Sequence, residues 1–159
     1  MNDLIFMKEA LKEAQKAFEA DEVPVGAVLV HENRVIARGH NQVELLQDAT
    51  AHAEMICLTA GAGVLGNWRL ADTTLYCTLE PCPMCAGALL ASRVERLVWA
   101  APDLRLGANG SWIDIFREKH PMHSIEITRG VLEEEAAHLM VSFFQNKRKR
   151  GKTDLSTAG

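Results

Sequence analysis

The sequence predicts a three-layer α/β fold, in which a mixed five-stranded sheet carries helices on both faces. Three observations lead there. Apolar residues recur every three or four positions near both ends of the chain, the pattern of amphipathic helices. Between them lie five short β-branched and apolar runs. One pair of runs is joined by a two-residue turn and others by stretches long enough to hold a helix, so antiparallel and parallel neighbours share one sheet. A length of 159 residues suits one domain, and 48% hydrophobic with 24% charged residues is a globular composition rather than a disordered or membrane-spanning one.

Residues 3–20 place Leu4, Met7, Leu11, Ala14 and Phe18 on one face of a helix, with Asn2 or Asp3 as its cap and Pro24 beyond its end. VGAVLVH (25–31) and RVIARGH (34–40) form a hairpin across Glu32-Asn33, because Asn tolerates the left-handed backbone of a tight turn. Residues 41–50 show no period and are expected to be a loop. A helix follows at 51–63, started by Asp48 or Thr50 and stopped by its glycines. TTLYCTL (73–79) is a buried strand that Pro81 ends, and PMCAGALLAS (83–92) is a helix with Pro83 in its first turn. RLVWAA (96–101) and IEIT (125–128) are strands, and residues 102–124 between them allow a crossover with a short helix around SWIDIF. Residues 132–150 close the domain as a helix with Leu132, Ala136, Leu139, Met140 and Phe143 on one face. The expected domain is 1–150, and the small, polar stretch 151–159 is expected to be a disordered tail.

Chemistry concentrates in His52-Ala53-Glu54 and Pro81-Cys82-Pro83-Met84-Cys85, each at the start of a predicted helix. Cys82 and Cys85 are three apart and share a face, while His52 brings a nitrogen from the other helix. Together they suit one zinc ion per chain. Three protein ligands leave a tetrahedral ion one open position, which holds a water whose pKa the ion lowers toward about 7 and marks a catalytic rather than structural site. Glu54 points into the same pocket without coordinating and is placed for general acid/base work. A redox Cys-x-x-Cys would explain neither Glu54 nor the prolines. Cys57, inside a helix, and Cys77, in mid-strand, read as buried small hydrophobes.

This arrangement, H-x-E followed by P-C-x-x-C, is that of the zinc nucleobase deaminases. Over residues 4–150 the sequence resembles the cytidine/nucleobase deaminase superfamily and, within it, the bacterial tRNA-specific adenosine deaminases. The likeness is densest in VPVGAVLV (23–30), DATAHAE (48–54), TLYCTLEPCPMCAGA (74–88), GANGS (107–111) and EITRGVLEEE (126–135). The resemblance implies a cytidine-deaminase-like fold and hydrolytic deamination of adenosine to inosine at the wobble position of a tRNA anticodon, with attack at C6 of a flipped-out adenine. It implies that His52, Cys82 and Cys85 bind zinc, that Glu54 shuttles protons and that Asn41 reads the base. Val25, Ala53 and Leu79 would line the pocket, Asp103 would contact the RNA backbone, and the enzyme would be a homodimer. Ala49, Pro102 and Ser142 depart from the Pro, Arg and acidic residues common in the family.

Two other readings stand beside this one: a deaminase of a free base or nucleotide, of guanine or cytosine type, and a non-catalytic zinc module that binds RNA. The formal charge of −4 argues against nucleic acid only until it is divided along the chain. Residues 147–159 carry five basic residues and one acidic, or +4, and the other 12 basic and 20 acidic residues leave −8 on 1–146. Lys147, Arg148, Lys149 and Arg150 are therefore the RNA-contact candidates, against the alternative of a solvated helix end. The N-terminus lacks the regions of a signal peptide and no apolar run approaches a membrane span, so the expected compartment is the cytoplasm, with no membrane partner.

Overall fold

The computed structural model describes residues 2–157. Its elements are α1 (Asp3–Glu19), β1 (Gly26–His31), β2 (Arg34–His40), α2 (Val43–Leu46), α3 (Ala53–Leu65), β3 (Thr73–Leu79), α4 (Pro83–Ala91), β4 (Arg96–Ala101), β5 (Glu126–Arg129) and α5 (Glu133–Thr157). The strands form one sheet in the order β2-β1-β3-β4-β5. β1 pairs antiparallel with β2 and β3, whereas β4 runs parallel to β3 and β5. Both turn residues of the hairpin, Glu32 and Asn33, have positive φ, at 49° and 61°, which matches the twist of the strands they join.

Alternation along the strands divides the core between two faces. Ala27, Leu29, Leu75, Cys77, Leu97 and Trp99 pack with α3 residues such as Cys57 and Leu58. Val28, Val30, Tyr76, Val98 and Ala100 pack with Phe6, Met7 and Ala10 of α1 and Ala136 of α5. A sheet covered on both sides explains why β1, β3 and β4 read as nearly continuous apolar runs. On the α3 side, Gly39 decides the spacing: a Cβ there would stand 2.5 Å from the Ala53 carbonyl oxygen, so the first turn of α3 rests on strand backbone.

Several expectations are corrected. Residues 43–46 are a helical turn rather than featureless loop, because the buried Glu22 carboxylate accepts the N–H groups of Glu44 at 2.9 Å and Leu45 at 2.8 Å. Asp48 does not cap α3; it accepts from Thr50 N and Oγ1, and His52 takes the cap position. α3 runs through Gly61 and Gly63 to a left-handed cap at Gly66, and Gly61 is small because Leu29 occupies the space a side chain would need. SWIDIF forms turns around an isolated bridge between Asn109 and Asp114, not a helix. Leu132, at φ 58°, precedes α5 rather than opening it. The stretch expected as a tail from 151 continues α5 through Thr157, and 158–159 lie outside the described residues. Among the described residues, no helix is long and apolar enough to cross a membrane.

Asp3, a possible cap from sequence, has another task. Its carboxylate accepts from Arg96 Nη1 and Nη2 at 2.8 Å each and from Tyr76 Oη at 2.7 Å, which fastens the start of α1 to the sheet. The Arg96 guanidinium holds the Asp3 carboxyl below its ordinary value of 3.8. A depressed carboxylate pKa contributes stability that is complete above the unfolded value and is lost as pH falls through the folded one. Asp3→Asn should therefore cost about 2 kcal/mol at pH 7. Urea titrations should show the gap from the unsubstituted protein closing as pH falls below the ordinary carboxyl value of 3.8; a gap that persists once the carboxyl is protonated would place the effect outside the ion pair.

Candidate metal centre and its cavity

Two helices begin side by side, and the residue before each is a metal-binding type where Ser, Thr or Asp would be usual. His52 caps α3 and Cys82 caps α4 with extended backbone, and neither makes a side-chain capping hydrogen bond. They turn toward one another instead. Pro83 supplies the first helical residue of α4, and Cys85, a turn further on, faces the same point.

The donor atoms of His52, Cys82 and Cys85 all lie within 4.8 Å of one another. His52 Nδ1 stands 3.5 Å from Cys82 Sγ and 3.5 Å from Cys85 Sγ. Tetrahedral zinc with its usual bond lengths spaces a sulfur and a nitrogen ligand about 3.6 Å apart, so the donor set fits that ion as it stands. The hydrogen bond from Cys85, with help from His52, holds the Cys82 thiol down to about 4. That same bond to Cys82, together with burial, pushes Cys85 upward. The bond to Cys82 also raises His52.

A cavity of about 250 Å³ opens beside these residues. Glu54 lines it and is only 4% exposed, and burial raises its carboxyl above the ordinary value. Val25, Asn41, Ala53, Leu79 and Asp103, the five expected substrate residues, all line it as well. Asn41 is buried, and its Oδ1 has no hydrogen-bond partner among the described residues. An orphaned acceptor in a cavity is completed by whatever the cavity holds.

The basic run divides. Lys147 lines the cavity, with its Nζ 5.3 Å from the Phe143 ring centroid. Arg148 lines an adjoining groove with Leu104, Val141 and Phe144. Lys149 and Arg150 face the end of α1, just beyond which Arg150 Nη2 pairs with Asp21 at 2.7 Å. Of the two phenylalanines, Phe143 is buried and meets Phe18 edge-on, while Phe144 reaches the cavity. Of the three departures, Ala49 and Pro102 are exposed, and Ser142 lies 3.5 Å from His138.

Sequence reasoning missed Glu22 and Glu80, which both line the cavity at 2% exposure. The signal was present: each is a carboxylate within two residues of a proline in an otherwise apolar stretch, EVP at 22–24 and LEP at 79–81. Met140, Arg105 and Leu106 were likewise brought in by the fold.

Residues 1–101 match the family model described as the cytidine and deoxycytidylate deaminase zinc-binding region. The chain is 58% identical over 159 residues to a chloroplastic tRNA(adenine(34)) deaminase of Arabidopsis thaliana, covering 90% of this chain but only 12% of that much longer protein. It is 49% identical to a tRNA-specific adenosine deaminase of Bacillus subtilis, covering 94% of this chain and 93% of the relative. A solved structure from work on A-to-I editing by tRNA:A34 deaminases superposes with a TM-score of 0.81 at 44% identity, over 84% of this chain and 97% of that one.

Proposed function

The chain belongs to the zinc-dependent cytidine and deoxycytidylate deaminase family, and from that membership we propose that it deaminates adenosine to inosine at the wobble position of a tRNA anticodon. The observation that carries this reading is one cavity lined by His52 and Cys82 of the zinc-type donor set, by the buried Glu54 and by Asn41, in a chain aligned almost end to end with a bacterial tRNA-specific adenosine deaminase. We assign the activity to a domain at residues 1–150.

Zinc held by His52, Cys82 and Cys85 supplies Lewis acidity, which makes a water acidic enough to react near neutral pH. Glu54 takes the proton that this water gives up and delivers it to N1 of the adenine. It then takes the second proton from the oxygen now bonded to C6 and passes it to the exocyclic nitrogen, which leaves as ammonia as the C6–N bond breaks and the oxygen becomes a carbonyl. Burial keeps that carboxyl away from bulk water during both transfers. Asn41 binds the substrate through its carboxamide, with the free Oδ1 accepting a substrate N–H or O–H. Val25, Ala53 and Leu79 hold the faces of the base. A cavity of about 250 Å³ admits one base and not a duplex, so the target nucleotide has to leave the stack. Asp103 meets the RNA backbone at the mouth, and Lys147 and Arg148 meet phosphates beyond it. Metal-binding thiols suit a reducing compartment, and we propose the cytoplasm.

We also infer a homodimer. The groove between α3 and α4, lined by Met55, Leu58, Ala88, Ala91 and the 55% exposed Trp68, leaves apolar surface that a second copy would cover. Sedimentation as two 17.5 kDa chains, reverting to one on Trp68→Glu, checks this.

Anticodon stem-loop RNA incubated with the zinc-loaded protein and digested to nucleosides should contain inosine at the wobble position. Its absence, with turnover of free guanine or cytosine, would overturn the assignment. Glu54→Ala should keep about one zinc per chain and lose 10²-fold or more in rate, whereas Cys85→Ser should lose the metal. For the paired variant Lys147→Ala, Arg148→Ala, the slope of log affinity against log salt should flatten by about 1.5 if both cations meet phosphates.

A further inference from the structure

The loop that follows β4 rests on one buried carboxylate. Glu80 Oε1 accepts from Asp103 N at 3.1 Å and from the Ser111 hydroxyl, and Oε2 accepts from Asn109 N at 2.9 Å and Ser111 N at 3.3 Å. Four donors from a nine-residue span thus converge on two oxygens, a task for which an ionised carboxylate is suited because it accepts on both and donates on neither. Gly107 lies against the same group: a Cβ there would overlap the Glu80 carboxyl. The loop reaches the cavity through Asp103, Arg105 and Leu106, and the Asp103 carboxylate accepts in turn from Arg105 N and Leu106 N at 3.2 Å each.

The two halves of the loop are not held equally. The 107–111 half has other anchors, with Asn109 Oδ1 accepting from Trp99 Nε1 at 2.9 Å and Ala108 N donating to Pro81 O at 2.8 Å. The 103–106 half has little apolar burial of its own, since Leu104 is 80% and Leu106 50% exposed. Asp103 fixes it at two points, its amide on Glu80 and its carbonyl oxygen, which accepts from Gly107 N at 2.8 Å; only the first reaches outside the loop.

We propose that Glu80 is a positioning residue for RNA recognition, whose carboxylate sets where Asp103, Arg105 and Leu106 stand at the cavity mouth without itself taking part in the chemistry. This rests on the reading of the protein as a tRNA adenosine deaminase. Glu80→Gln is an informative substitution. Turned with its oxygen toward Asn109 and Ser111, the carboxamide keeps those two amide bonds, and its NH2 finds the Ser111 hydroxyl as acceptor. The Asp103 N–H then faces a donor and is released.

Hydrogen exchange on the zinc-loaded protein should show the Asp103 amide exchanging at least tenfold faster in Glu80→Gln, with Asn109 and Ser111 changed much less. KM for the stem-loop should rise about tenfold while kcat stays within threefold and zinc remains at one per chain. Gly107→Ala, which displaces the carboxylate sterically, should raise KM in the same way, and the double variant should add little further. An unchanged KM with normal exchange at Asp103 would overturn the proposal, as would a fall in kcat or zinc content with KM preserved. If the unsubstituted protein does not turn over the stem-loop, the reading of function fails, and the exchange experiment still decides whether Glu80 holds the loop.

Discussion

The first turn of α3 lies directly on the backbone of β2, and the site is arranged around that contact. At Gly39 a side chain would strike the Ala53 carbonyl oxygen and the Cys57 amide together, so the helix has one seat on the strand. From that seat His52 reaches both cysteines, Ala53 forms a cavity wall and Glu54 is carried inside. The sheet supplies the other half. Parallel β3 and β4 finish at the same edge, and only three residues separate the end of β3 from the start of α4, so Cys82 and Cys85 arrive where parallel strands bring ligands in open α/β sheets.

What the chain discloses on inspection is what depends on neighbours in sequence. The hairpin was legible because Asn33 accepts positive φ, and the metal donors because His-x-Glu and Cys-x-x-Cys are short patterns with a chemical rationale. What stayed hidden depends on groups far along the chain. The turn at 43–46 exists because of Glu22, and residues 102–116 are shaped by Glu80 and Trp99 rather than by any periodicity. Gly61 looked like a helix stop and is a packing position, a distinction made only by Leu29 on a strand that has no local relation to it. Asn41 and Asp103 came from resemblance alone; no spacing marks either as a cavity residue.

The distribution of charge also changes meaning once folded. Glu13, Glu22, Glu54 and Glu80 are buried, so part of the −8 on residues 1–146 never meets solvent. Glu22 and Glu80, both lining the cavity, accept backbone amides. The basic run, uniform in sequence, is sorted by the helix into Lys147 and Arg148 toward the cavity and its groove, and Lys149 and Arg150 toward α1. An approaching polyanion therefore meets a less acidic mouth than the formal charge implies.

The attachment of Asp3 to Arg96 bears on how the domain can be joined to other things. Arg96 opens β4, whereas the cavity lies past the far end of that strand at Ala101 and Asp103. Six residues of strand separate the two, or roughly 17 Å. Anything fused ahead of α1 consequently departs from the end of the sheet remote from the substrate, while anything fused after α5 departs from the element that carries Phe144 and Lys147. The leading end is the tolerant place for a tag, a carrier or a second enzyme, and the trailing end is where an addition would crowd the RNA.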